Sequence, residues 1–543
     1  MTGAAPEPAP PPPTRAARRA WTLLLALAAL ATLGYLFGAS QRVPYPYELA
    51  WMEGAMADHA ARVADSLPLY TAPSADHVSF LYSPLFFWLG GLCIRTGLDG
   101  LLALRLLALG FTFACAALIG VWVRRDTGRT APGLVAAGLF VGAYGWLWWW
   151  FDLARNDTLF VFLCLATVWQ LLHGGRRRWL WAGLCACLAL LAKQSTLMWL
   201  PLVGLAALCH DWRTALRFGL VATVSMALSL GALHLTSDGW STFFVFEMPR
   251  HHGWIPEHER AFWSRDLLPV LPLLGLSALG VARRWRHERG HALVLLAFAV
   301  GGLLASWFSR MHVGGFDNVL LYGYAAACVL GPIAVARLPR GAPQFAGLAV
   351  LGLQFAALGW VAFAREPART LLPSAGHRHA HDQLQAFVAR QDGPVWLLGH
   401  GWLARRTEHQ ANGGVGAHAQ AIFDLVMLLP AGDLSALQHE DRVAHLSARA
   451  RTALSSLRDD VARALAERRY AAIVLDAATE KSFGTSLFEH PHLFGGALAG
   501  ADGERDTADD PYVRAPGWLV DDPDAITSSI GLDLRFPYAL QRR

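Results

Sequence analysis

Carboxylates in two short aromatic segments are the side chains of this 543-residue chain best suited to acid–base chemistry. The first segment contains Glu48 and Glu53, with Trp51 and Met52 between them, and the second contains Asp157. A carboxylate beside large apolar side chains is partly desolvated, which raises its pKa and its basicity. We therefore expect Glu53 to act as a general base that deprotonates an acceptor hydroxyl, with Glu48 as the alternative acid.

Asp157 has two interpretations that the sequence leaves open. It follows Trp148 to Asp152 and Arg155 and directly precedes an apolar run. A carboxylate at a helix N-terminus is stabilised by free backbone N–H groups, so capping alone explains the residue. The alternative is that Asp157 is a second catalytic carboxylate.

Basic side chains in comparable positions indicate an anionic ligand. Lys193 is the only lysine before Lys481, and it interrupts a long apolar stretch. An ammonium group at membrane depth is costly unless it meets an anion or extends to the interface. We predict that Lys193, Arg155 and Arg250 contact a phosphate group carried by a lipid.

No metal ligand or cofactor is predicted. His251, His252 and His258 follow no known ligand spacing, so interfacial or phosphate contacts are favoured over metal, and a divalent ion has no support in the sequence. Nucleotide-binding and hydrolase motifs are also absent from any usable context. Energy for a synthetic reaction would therefore arrive in an activated, lipid-carried substrate.

The elements that position these residues belong to a membrane protein. The chain is 54% hydrophobic and 16% charged, whereas soluble proteins have about 25% charged residues. Apolar runs fill residues 20–363, and 364–543 has an ordinary soluble composition. Arginines cluster between the runs, which is a topology signal and not one of nucleic-acid binding.

Arginine placement predicts the topology, because short cytoplasmic loops are enriched in basic residues. Residues 1–19 are expected to be disordered and cytoplasmic. An even number of crossings between arginine clusters keeps Tyr82–Ile94 in a first outer loop, residues 41–102, and makes Lys193 the tip of a hairpin. The predicted spans are 20–40, 103–123, 131–150, 157–173, 178–192, 195–209, 214–236, 267–282, 292–308, 319–336 and 344–363.

Eleven crossings place residues 364–543 outside the membrane. Short strands are predicted at Pro394–Leu398 and Ala471–Asp476, and helices at about 379–390 and 442–469. The predicted fold class is an all-α polytopic membrane domain of about eleven transmembrane helices, with a large first outer loop containing interfacial helices, followed by a small α/β domain. The predicted location is the bacterial inner membrane.

Several motifs resemble those of the C-fold membrane glycosyltransferases. The bacterial branch related to the dolichyl-phosphate-mannose protein mannosyltransferases and the aminoarabinose lipid A transferases is the most similar. The segments that carry the resemblance are Tyr47 to Gly54 with Leu67-Pro68-Leu69-Tyr70, Leu81 to Trp88, Ala154 to Asp157, Leu191 to Gln194 and Gly314 to Asn318.

The resemblance implies an inverting transfer of a sugar from a polyprenyl-phosphate donor to an acceptor hydroxyl on a lipid, glycan or protein. It implies that Glu53 is the base or acceptor-positioning carboxylate, Asp157 a second carboxylate and Lys193 a donor-phosphate contact. Ser83 stands where some relatives have a lysine, so phosphate binding is expected to come from elsewhere. The alternative function is a lipid or sugar-lipid transporter without chemistry.

Overall fold

The computed structural model describes residues 14–365, 372–406, 416–429, 434–475, 512–514 and 538–542. The helices up to residue 365 are α1 Arg15–Arg42, α2 Glu53–Ala64, α3 Leu85–Arg95, α4 Gly100–Thr127, α5 Thr130–Gly142, α6 Asp157–His173, α7 Arg178–Ala192, α8 Thr196–Thr236, α9 Trp240–Thr242, α10 Pro256–Ala261, α11 Leu271–Trp285, α12 Arg289–Met311, α13 Leu321–Ala336 and α14 Ala342–Arg365. After residue 371 come α15 Ala375–Ala389, β1 Val395–Leu397, α16 Gly401–Arg405, α17 Ala419–Val426, α18 Glu440–Val443, α19 Ala448–Ala466, β2 Ala472–Leu475, β3 Tyr512–Arg514 and β4 Tyr538–Arg542.

Seven helical segments within the described residues are long and apolar enough to cross a membrane. They include α1, α4, α8, α12 and α14, together with residues 256–285 and 317–336. The helices α5, α6 and α7 are apolar but shorter.

Each predicted span overlaps a helix. Residues 195–209 and 214–236 are the two arms of α8, which has a non-helical residue at Asp211. A straight helix of 41 residues would be about 60 Å long, and the hydrocarbon core of a bilayer is about 30 Å thick. The break at Asp211 divides this length into two arms.

Two helix ends differ from the prediction. α1 already begins at Arg15, within the segment expected to be disordered, while residues 1–13 lie outside the described part. α5 ends at Gly142 instead of residue 150, and Trp148 and Trp149 both have left-handed backbone conformations, with φ of 54° and 60°. Such conformations cost non-glycine residues about 1–2 kcal/mol each, so they persist only where surrounding contacts hold them.

The described residues form two compact units. Among the described residues, the helical unit comprises 14–40, 106–229 and 253–365, and the mixed unit comprises 41–105, 230–252 and the described segments after residue 371. The mixed unit therefore joins the first outer loop to the C-terminal region, a grouping that composition alone did not indicate.

In the mixed unit, a small sheet and two short loop helices provide the framework. The described strands have the order β1-β2-β4-β3, with β1 and β2 parallel and the other pairs antiparallel. Close packing of α3 on α2 depends on Gly91, where a Cβ would lie 2.7 Å from Cγ1 of Val63. The structure has two helices in the loop, α2 and α3, and the predicted C-terminal strands are present as β1 and β2.

Candidate active site

Glu53 begins α2 and forms a fully buried ion pair with Arg105. Nε of Arg105 donates to Oε1 at 2.9 Å and Nη2 donates to Oε2 at 2.5 Å. The backbone N–H of Leu49 donates to Oε2 at 2.7 Å. The same guanidinium donates to three carbonyls of the preceding loop, those of Arg42, Tyr45 and Tyr47. Both oxygens of Glu53 are therefore occupied, and the pair fixes the loop backbone.

Glu48 is also buried, but its surroundings are different. Neither carboxylate oxygen has a hydrogen-bond partner among the described residues. Oε2 lies 3.8 Å from Nδ1 of His400, and His381 belongs to the same group. Burial opposes ionisation of Glu48, but His400 and His381 outweigh it and lower the pKa of Glu48 to about 2. Glu48 is therefore an anion held against two imidazoles.

Three further acids of the first outer loop, Asp58, Asp65 and Asp76, bind an arginine or a tyrosine within the mixed unit. Arg405 donates to Asp58 at 2.9 Å and to Asp65 at 2.7 Å. The hydroxyl of Tyr470 donates to Asp76 at 2.6 Å. These three acids connect the loop to the C-terminal region.

In the helical unit, Asp157 begins α6 and binds Lys193. Nζ of Lys193 donates to Oδ1 at 2.7 Å, and the hydroxyl of Tyr322 donates to the same oxygen at 3.1 Å. Nε of Arg155 lies 3.9 Å from Oδ2. Asp157, Lys193 and Arg155 are all at most 7% exposed. The structure thus brings together three residues that the sequence singled out separately.

Comparisons with known proteins identify the fold of the chain. The model of glycosyltransferase family 87 matches residues 80–265. The crystal structure of ArnT from Cupriavidus metallidurans in the apo state is similar, with 13% identity, a TM-score of 0.53, and 96% of this chain and 98% of that chain covered. ArnT bound to undecaprenyl phosphate gives 13% identity, a TM-score of 0.54, and 96% and 97% coverage. The chain has the C-type glycosyltransferase fold.

The oligosaccharyltransferase AglB from Archaeoglobus fulgidus, in complex with an inhibitory peptide and a dolichol-phosphate, shares this fold at 12% identity and a TM-score of 0.51. That match covers 89% of this chain and 72% of AglB. No curated protein matches the chain by sequence. The C-type fold confirms the predicted fold class and the resemblance in the sequence, and with the apolar helices it shows a multi-pass membrane protein.

Arg250 and the histidines for which the sequence predicts phosphate or interfacial contacts do not lie together in one unit. Arg250 is exposed in the mixed unit, where His252 lies 3.9 Å from Asp424. His258 belongs to the helical unit, with Nδ1 3.1 Å from the carbonyl oxygen of Arg310. None of these histidines belongs to a group of potential metal ligands in the described residues.

Sequence reasoning missed Arg105, His381 and His400. Arg105 could have been found, because it is a lone charge near the start of an apolar run and such charges are expensive without a partner. The two histidines carried no local signal, since their partner Glu48 is more than 300 residues away in the chain.

Proposed function

We propose that this protein transfers a sugar from a polyprenyl-phosphate donor to an acceptor hydroxyl on the periplasmic face of the bacterial inner membrane, with inversion at the anomeric carbon. The observation that supports it most directly is the buried cluster of Asp157, Lys193 and Arg155 in a C-type fold. The N-terminus would be cytoplasmic and the C-terminal region outside, as the arginine pattern predicts.

The charge balance of the cluster suits the donor phosphate. Lys193 and Arg155 supply two positive charges, and Asp157 supplies one negative charge. The largely buried cluster therefore has a net charge of +1. A sugar phosphodiester carries one negative charge. Breaking its glycosidic bond leaves a phosphate monoester with about −1.5 to −2 charge at pH 7. Cations already in place therefore stabilise the leaving group more than the bound donor, which is the condition for catalysis.

The acceptor hydroxyl must lose a proton, and a first-loop carboxylate is the group we assign to that task. Glu53 accepts three hydrogen bonds from Arg105 and Leu49, so both of its oxygens are occupied. Neither oxygen of Glu48 has a hydrogen-bond partner among the described residues, so these oxygens remain able to meet an acceptor hydroxyl. We therefore assign the task to Glu48 and give Glu53 the role of a positioning residue that orders the loop through Arg105.

Lys193 provides the test of the donor end. In membrane vesicles supplied with a radiolabelled polyprenyl-phosphate sugar, Lys193→Met should reduce transfer by about 100-fold or more, the usual effect of losing one electrostatic contact to the transition state. Lys193→Arg should retain part of the activity because the charge remains.

The matched control is Arg213→Met, which removes an exposed cation from α8 and should leave transfer unchanged. Full turnover by the Lys193→Met protein would refute the proposed donor site. Movement of the lipid-linked sugar across vesicles without any transfer would favour the transporter alternative.

A further inference from the structure

Glu48, His381 and His400 converge inside the mixed unit although they come from three separate elements. Glu48 precedes α2, His381 lies in α15, and His400 lies between β1 and α16. One potential ligand atom from each residue lies within 4.8 Å of the others. Each residue is 1% exposed, so all three side chains are buried.

The environment of His381 fixes which ring nitrogen is available. Nδ1 lies 2.9 Å from the carbonyl oxygen of His377, so Nδ1 carries the proton and donates it to that carbonyl. Nε2 is then the lone-pair nitrogen, and it is buried without a hydrogen-bond partner in the described part of the chain. Histidines that bind metals have this arrangement, with one N–H held by a carbonyl and the other nitrogen facing the ion.

The burial of Glu48 also suits a cation. A buried carboxylate is stable where a hydrogen bond or a counter-charge meets it, and neither oxygen of Glu48 has a hydrogen-bond partner among the described residues. Arg105 of α4, whose guanidinium contacts the same loop, is already committed to Glu53.

A second group of potential metal ligands differs, because its carboxylate is neutralised by an arginine. Asp126, His173 and His291 also converge within the helical unit. There Nη1 of Arg284 donates to Asp126 at 2.9 Å, so an arginine neutralises the carboxylate. The Glu48 group differs because its anion has no such arginine among the residues described.

We propose that Glu48, His381 and His400 bind a divalent cation of the zinc type. Two imidazole nitrogens and one carboxylate oxygen are a ligand set that zinc favours, with bond lengths of about 2.0–2.2 Å. Such bonds put tetrahedral ligand atoms about 3.4 Å apart, so no pair of the three atoms needs to approach by more than about 1.4 Å. The fourth position would remain for water or hydroxide.

The ion would give Glu48 a more specific role, and this part rests on the proposed function. Glu48 would hold the ion together with His381 and His400, and the bound ion would supply Lewis-acid assistance to the loss of the acceptor proton that the proposed function assigns to Glu48. The ion would also hold the first outer loop against the C-terminal region, since its ligands come from both.

Metal content of the purified full-length chain tests the site directly. After chelator treatment and incubation with zinc, mass spectrometry of the wild-type protein should find about one zinc ion per chain. Cobalt substitution should give visible absorption bands. Glu48→Gln and His381→Asn should each weaken zinc binding by about 10-fold or more. The matched control is His379→Asn, an exposed histidine of the same helix, which should bind zinc like the wild type.

Absence of zinc and cobalt from the wild-type chain would overturn the proposal, as would unchanged binding by both ligand variants. If one variant fails to elute as a folded species in gel filtration, the wild-type stoichiometry and the other variant decide. Metal binding requires neither donor nor acceptor. Bound metal without any transfer would therefore refute the proposed function alone, and full transfer by the metal-free chain would refute the catalytic role of the ion.

Discussion

Replacing Arg105 by methionine removes the cation from a fully buried ion pair and leaves Glu53 uncompensated. Both side chains have zero exposure, and the guanidinium holds both carboxylate oxygens at 2.9 and 2.5 Å. Removing one partner of a buried pair costs about 3–5 kcal/mol. Because the free energy of unfolding of a typical domain is about 5–15 kcal/mol, Arg105→Met should remove a large part of the stability of the mixed unit.

A double-mutant cycle identifies the cause. The Glu53→Gln, Arg105→Met double variant buries no charge, so it should be more stable than Arg105→Met alone by about 1–3 kcal/mol. Denaturant unfolding of the detergent-solubilised protein, followed by the fluorescence of its 22 tryptophans, measures these differences. The control Arg213→Met should change the free energy of unfolding by no more than about 0.5 kcal/mol. If Arg105→Met matches this control, the ion pair does not contribute to the folded state and the reasoning fails.

Three further outcomes can be checked. Glu53→Gln should abolish sugar transfer while membrane insertion stays normal, because the loop loses its charged anchor; full activity in vesicles would contradict this. Reporter fusions at Thr127 and Arg286 should indicate the cytoplasm and a fusion at His400 the outside, and a cytoplasmic His400 would invalidate the eleven-span topology. Burial raises the pKa of Asp424 from its ordinary value of 3.8 to about 8, so the folded state binds this proton more tightly than the unfolded state. Its stabilising contribution is present at low pH and lost as the pH rises through 8. Asp424→Asn should therefore gain stability relative to wild type between about pH 4 and 8, and a pH-independent difference would exclude this explanation.

Local patterns predicted most helices, because apolar periodicity and arginine placement are properties of adjacent residues. The turn at Lys193 was found in this way, since a lone lysine between two apolar runs needs the end of a hairpin. The sequence predicted only that Lys193 and Asp157 lie on the same side of the membrane. The structure adds the hydrogen bond of 2.7 Å between them. The end of α5 was missed because the tryptophans near residue 148 continue the apolar composition of the predicted span. Tryptophan also gives no sequence signal for a left-handed backbone conformation.

Long-range pairing explains the failures at the candidate site. The aromatic residues around Glu53 favoured a desolvated base. Glu53 is indeed buried, but Arg105 is buried with it and donates hydrogen bonds to both carboxylate oxygens. The context of Glu48 contained no hint of its histidines, because those residues come from a region that reads as an independent soluble domain. Chemistry assembled from distant segments leaves no periodic pattern in the sequence.

The joining of the first outer loop to the C-terminal region has a consequence for the timing of biosynthesis. Tyr45 and His381 are separated by 336 residues, which takes about 20–70 s to synthesise at about 5–20 residues per second. Glu53 and Arg105 are separated by only 52 residues, so their pair can form while the ribosome is still working on the early helices. The loop thus begins to fold soon after it emerges but waits for the C-terminal partners of Glu48, and chains that stop before His381 would be exposed to proteolysis at this loop.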